Sequence, residues 1–216
     1  KTLVLRTESS KVKYFIARDK DLQLGQADVI TGLAPVVTKA INDLIAGSGV
    51  SSSKVFAEFG IRYLFLANPI NEELVRTIDG AGGFTRAAST DEGITWKVPG
   101  ALGHISFLSQ DGSYSVLPSG EVGAAGTLTS AGVIIITEKY DNRWKMLLNG
   151  TYLPLTQTEN GVPRFYVSEP GDFLIFHDGT SRRAWVSLQL LTFLTLIILA
   201  LPARRRRSQM SEQELA

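Results

Sequence analysis

Asp19 and Asp21, one residue apart around Lys20, are the first side chains whose spacing could do chemistry. Two carboxylates so placed at a strand end can share one hard cation and hold it against a diphosphate. A lone Asp-x-Asp also arises often by chance. The topology argued below puts this loop on the side of a membrane away from nucleotide donors, so no metal site is expected and Asp19 and Asp21 stand only as candidate ligands. Asp79-Gly80-Ala81-Gly82-Gly83 supplies glycines but follows a helical pattern, and no Gly-Lys-Ser/Thr completes it; a plain loop is expected. The two histidines, His104 and His177, have no companion at ligand spacing, and the chain has no cysteine, which removes thiolate chemistry and disulfides. No catalytic residue and no cofactor is expected.

Aromatic residues offer a different chemistry, packing against a ligand ring. Trp144 would suit this, but its register in a hairpin at Asn149-Gly150 sets it with Met146, Leu148, Leu153 and Leu155 on the face opposite Leu147 and Tyr152, so it is expected in the core. Tyr140 and Tyr152 remain as the candidate substrate-binding pair.

The elements that must position these residues fall into two styles. Residues 1–98 mix strands at Thr2–Arg6 and Val12–Ala17, a helix from about Pro35 to Ile45, a short helix at Lys54–Phe59, an apolar strand at Ile61–Ala67, a helix capped by Asn71, and a strand holding Trp96. Residues 99–181 change to short strands about ten residues apart, with turns such as Gln110-Asp111-Gly112 and Glu169-Pro170-Gly171-Asp172. This predicts an α+β chain: a small mixed helix/strand layer, then an antiparallel β-sandwich, then one C-terminal transmembrane helix at 182–203 and a basic tail at 204–216.

That last helix is read from Trp185 to Leu201, about 18 residues without a charge and roughly 27 Å of helix, followed by Pro202 and Arg204 to Arg207. Four arginines after it outnumber Arg182 and Arg183 before it, so the tail is expected in the cytoplasm and residues 1–181 outside. The formal net charge of +1 hides this asymmetry: the part before the helix is mildly acidic, which argues against nucleic acid as a partner. The start at Lys1, without Met or a signal peptide, predicts earlier spans in a longer parent chain.

Several phrases together resemble a known family: Phe59-Gly60-Ile61-Arg62-Tyr63-Leu64-Phe65, Leu74-Val75-Arg76-Thr77-Ile78-Asp79-Gly80, Glu138-Lys139-Tyr140-Asp141-Asn142-Arg143-Trp144 with Leu148-Asn149-Gly150, and Phe176-His177-Asp178-Gly179-Thr180. The set is similar to the C-terminal exterior domain and last transmembrane helix of large actinobacterial multi-spanning family 2 glycosyltransferases, and to YfhO-type membrane proteins. The resemblance implies that catalysis lies upstream and that this chain is a non-catalytic exterior accessory domain and anchor in cell-envelope glycan assembly. The lipid bilayer, the upstream helices of the parent and an envelope glycan are then its expected partners. Two alternatives stay open: an independent glycan-binding module, and a carboxylate-based glycan hydrolase, which would need a clustered, desolvated acid pair in a cleft.

Overall fold

The structure is a computed structural model that describes residues 1–8, 11–18 and 32–200. Its contacts divide the chain into two units, Lys1–His177 and Asp178–Ala216.

In the first unit, β1 (Thr2–Glu8) pairs antiparallel with β2 (Lys11–Ala17) and parallel with β3 (Tyr63–Ala67). β4 (Thr85–Thr90) and β5 (Gly93–Lys97) extend the sheet to the order β2-β1-β3-β5-β4. One face carries Leu3, Leu5, Leu64, Leu66, Ile94 and Trp96, all buried under three helices. The first, α1 (Pro35–Ile45), starts with proline where a missing N–H costs nothing and buries Val37, Ala40, Ile41 and Leu44 at the spacing of a single helix face. The others are α2 (Ser52–Glu58), which buries Phe56, and α3 (Glu72–Gly80). Asn71 caps α3 as its sequence predicts, Oδ1 accepting from Glu73 N at 3.0 Å and Leu74 N at 3.1 Å. Asp79, at the other end of α3, accepts from the Trp96 indole at 2.7 Å and pairs with Arg86, whose guanidinium lies 5.8 Å over the same ring. The glycine-rich stretch is thus half helix, and its aspartate fixes a core tryptophan.

The remaining strands of this unit form two antiparallel sheets packed face to face. One has the order β13 (Leu155–Gln157), β14 (Pro163–Val167), β10 (Gly132–Ile136), β6 (Ile105–Ser109) and β7 (Tyr114–Val116). The other runs β12 (Thr151–Leu153), β11 (Trp144–Leu148), β15 (Gly171–His177), β9 (Gly123–Leu128) and β8 (Ser119–Gly120). Alternate residues of both meet in one core, including Phe107, Ile134 and Phe165 from the first sheet and Trp144, Met146 and Ile175 from the second.

The hairpin at Asn149-Gly150 forms in the expected register, Met146 opposite Leu153 and Leu147 opposite Tyr152. Its turn residues have φ of 50° and 80°, as a two-residue type I′ turn requires. Space is open around the Gly150 Cα, so a side chain there meets strain and not a clash. Gly150→Val is expected to destabilise the unit by roughly 1–3 kcal/mol, measured by urea unfolding, because a β-branched residue resists positive φ; an unchanged midpoint would remove the turn as a determinant of register.

The predicted fold class is corrected on two counts. The chain is mostly β, with three five-stranded sheets and four helices among the described residues, and its first half is a five-stranded sheet with three helices on one face. β4 escapes sequence reading because all six of its residues are exposed and show no alternation; β9 escapes because Gly-Ala-Ala-Gly reads as turn. Second, no helix among the described residues is long and apolar enough to cross a membrane. The last helix, α4 (Thr180–Ala200), carries Arg182 and Arg183 near its start, and Ser187, Gln189, Thr192 and Thr195 interrupt its apolar stretch. Its hydroxyls turn inward on the backbone: Thr192 Oγ1 donates to Leu188 O and Thr195 Oγ1 to Leu191 O, each at 2.9 Å. The arginine tail lies outside the described residues.

Candidate functional site

Six chain segments bring their ends together around one buried carboxylate. Lys1 stands at the start of β1 and Arg18 just past β2; Gly60 and Arg62 lead into β3, and Gly103 and His104 into β6. Glu121 lies between β8 and β9, and Thr137 and Glu138 follow β10. All of them but Glu138 line an open cavity of about 120 Å³. Gly60 has φ of 69°, and a Cβ there would fall 2.8 Å from Thr137 Oγ1 and 3.1 Å from Leu102 O. Only glycine permits this approach.

The Glu138 side chain is 6% exposed, and among the described residues the side chains that meet it are the donors Lys1, Arg18 and His104. Lys1 Nζ lies 2.8 Å from Oε1; Arg18 donates through Nη1 to Oε1 at 2.9 Å and through Nη2 to Oε2 at 3.1 Å; His104 Nδ1 is 3.4 Å from Oε1. Arg18 Nη1 also reaches Glu121 Oε2 at 3.6 Å. Burial alone would push the Glu138 carboxyl up, but the Lys1 charge and the hydrogen bonds from His104 and Arg18 outweigh it and hold the group well below the usual carboxylate range. Lys1 is drawn down as well. Burial is the main cause, and the adjacent Arg18 charge offsets part of the attraction to Glu138. One carboxylate shared by two buried cations satisfies the bidentate arginine better than the lysine, so we place the firm shift on Glu138. Lys1 Nζ also donates to Phe59 O at 3.2 Å and to Thr137 O.

A second, smaller cluster sits at the far end of β15. His177 Nε2 is 3.1 Å from Asp141 Oδ2, and Arg143 Nε holds the same carboxylate at 2.9 Å. Hydrogen bonds from Arg143, helped by His177, keep the Asp141 carboxyl well below its usual range. The edge of Trp144 meets the His177 ring at 5.2 Å.

Asp19 and Asp21 lie outside the described residues. Tyr140 and Tyr152 are both exposed but sit on different elements: Tyr140 in the β10–β11 connection, its N donating to Gly161 O, and Tyr152 on β12 opposite Leu147. Among the described residues no ring contact joins them. Tyr152 instead begins an outward row, Tyr152–Leu147–Leu174–Ala125, in register across four strands. Trp144 is fully buried. His104 and His177 fall in separate clusters, each against one carboxylate, and among the described residues no three His, Asp or Glu side chains gather to hold a metal. Sequence reading missed Lys1, Arg18, Glu121 and Glu138. Their one local signal is Thr137-Glu138, a charge set directly after the apolar run Val133–Ile136; nothing local links it to residues more than a hundred positions away.

Compared with known proteins, the chain matches no protein family, no curated protein and no solved structure.

Proposed function

We propose that Lys1–His177 is a non-catalytic, extracytoplasmic glycan-binding module that assists a membrane glycosyltransferase in cell-envelope glycan assembly. The observation that carries the non-catalytic reading is Glu138. It is the most buried acid of the charged cluster described above, held ionised by Lys1 and Arg18, and it accepts from three side chains. A hydrolase working with two carboxylates needs one of them protonated and free to donate. Glu138 has neither property, which fits a binding role better than that of a general acid.

Two further features support the reading. The outward row led by Tyr152 offers ring and aliphatic surface of the kind that packs on the C–H faces of sugars. α4 exposes Leu188, Leu190, Leu191, Phe193, Leu194 and Leu196, an apolar surface that other helices of a parent chain would cover. Attachment to a family 2 glycosyltransferase follows from the sequence resemblance alone.

The test combines binding with turnover. The detergent-solubilised chain is expected to co-sediment with an envelope polysaccharide fraction, and to transfer no sugar from nucleotide donors with Mg²⁺ or Mn²⁺ present. Sugar transfer that disappears in Asp19→Asn with Asp21→Asn would replace the accessory reading with a catalytic one.

A further inference from the structure

We propose that the outer face of the sheet β13-β14-β10-β6-β7 is a second glycan-contacting surface, on which a straight, uncharged sugar chain lies across the strands from Tyr166 to Tyr114. This rests on the binding-module reading and adds to it a site and a ligand class.

The surface follows from register. Tyr166 of β14 stands opposite Val133 of β10, Val133 opposite Leu108 of β6, and Leu108 opposite Tyr114 of β7. Side chains paired in this way share one face of the sheet, and since their chain neighbours Phe165, Ile134 and Phe107 fill the sandwich core, the row points outward. Tyr166 is 49% exposed, Leu108 40% and Tyr114 45%. Three strand spacings of about 4.8 Å set the two tyrosines roughly 14 Å apart, with the aliphatic pair between them.

Both tyrosines are held by contacts of their own. The Tyr114 hydroxyl accepts from Gly103 N at 2.6 Å and meets Ser106 Oγ at 2.9 Å, which ties the tip of the ring to the start of β6. The Arg164 guanidinium lies 5.1 Å from the centre of the Tyr166 ring. Arg164 Nε is buried and has no acceptor among the described residues, a cost that the contact with Tyr166 offsets. Exposed rings held in one orientation lose little freedom when a ligand packs on them.

Charge and size choose the occupant. Arg164 is the one charged residue in the five strands of this sheet, and it is already set against Tyr166. The face therefore matches an uncharged ligand. A row of four side chains falls far short of the roughly 20–30 residues a side that a stable protein interface uses, which sets aside a second copy of this chain or a folded partner. A straight, equatorially linked glycan fits both conditions: its rings present flat C–H faces that stack on tyrosine, and its hydroxyls lie at the rims, where they stay in water. One sugar ring cannot reach both tyrosines, so the site takes a chain.

Isothermal titration of the full chain, in a detergent without a sugar headgroup, tests this with cellohexaose, chitohexaose, glucose and decaproline as separate probes. At least one hexasaccharide is expected to bind saturably, and glucose at least tenfold more weakly. Tyr166→Ala and, separately, Leu108→Glu should each weaken the hexasaccharide by roughly tenfold or more, whereas Tyr166→Phe, which keeps the ring, should bind as the unaltered chain does. Should Tyr166→Ala lower the melting temperature, Leu108→Glu decides, because it sits at an exposed position and removes no ring. Saturable binding of decaproline in place of the sugars, or hexasaccharide binding indifferent to both variants, would overturn the assignment. If both hexasaccharides fail, or lose binding in Tyr152→Ala alone, while an envelope polysaccharide still co-sediments, the second surface falls and the binding module stands; if nothing binds, both fall.

Discussion

Glu138→Gln is expected to lower the stability of Lys1–His177 by about 3–5 kcal/mol, with a fall in Tm of roughly 10 °C, although the substitution changes hardly any volume. The amide keeps the shape but removes the counter-charge that the Lys1 ammonium and the Arg18 guanidinium share. A buried ion pair contributes little net stability over an apolar replacement, yet stripping one partner leaves the cost of the others unopposed. Urea unfolding followed by tryptophan fluorescence measures the loss. A change under about 1 kcal/mol would mean that water reaches the cluster and screens it.

The same experiment carries a pH signature. An unfolded glutamate titrates near ~4.3, and in the fold Glu138 is held below that value. Between the two values the unfolded chain binds the extra proton, so the contribution is complete above the unfolded value and is lost as pH falls toward the folded one. The gap between native and Glu138→Gln chains should therefore be constant near neutrality and narrow below about pH 4.

Trp144→Ala should cost a similar amount, about 3–5 kcal/mol, for a different reason: it empties the centre of the sandwich. The indole is fully buried among the inner residues of both sheets, and its edge supports His177, which in turn is tied to Asp141. Trp144→Phe should cost markedly less, because the indole Nε1 has no acceptor among the described residues and nothing polar is lost with it. If Trp144→Ala left the melting temperature unchanged while abolishing polysaccharide binding, the core placement would be wrong and the residue would belong to a binding face.

How much of this could be read from sequence depends on the range of the interaction. The α1 face, the Asn71 cap and the Asn149-Gly150 hairpin each depend on residues within about ten positions, and each forms as the local pattern dictates. β4 and β9 carry no local pattern, because one is exposed throughout and the other is small throughout; their pairing is set by β5 and by β15. The Glu138 cluster is the extreme case. Arg18 and Glu138 are 120 residues apart, and their meeting depends on β1 lying inside the first sheet between β2 and β3. Local spacing could therefore point to Asp19 and Asp21, two positions apart, but not to Lys1, Arg18 and Glu138, which are assembled by topology.

The position of β15 bears on how this protein would respond to force. The strand ends at His177, immediately before the unit that contains α4, and it lies third in its five-stranded sheet with β11 on one side and β9 on the other. A pull transmitted along the chain from α4 would therefore load a central strand held by two hydrogen-bonded ladders, and would have to shear both before the strand could slide. An edge strand in that place could be peeled off one bond at a time. Mechanical unfolding is governed by the rate of crossing such a barrier and not by equilibrium stability, so a load entering through the segment after His177 would meet high resistance even where the overall stability is ordinary.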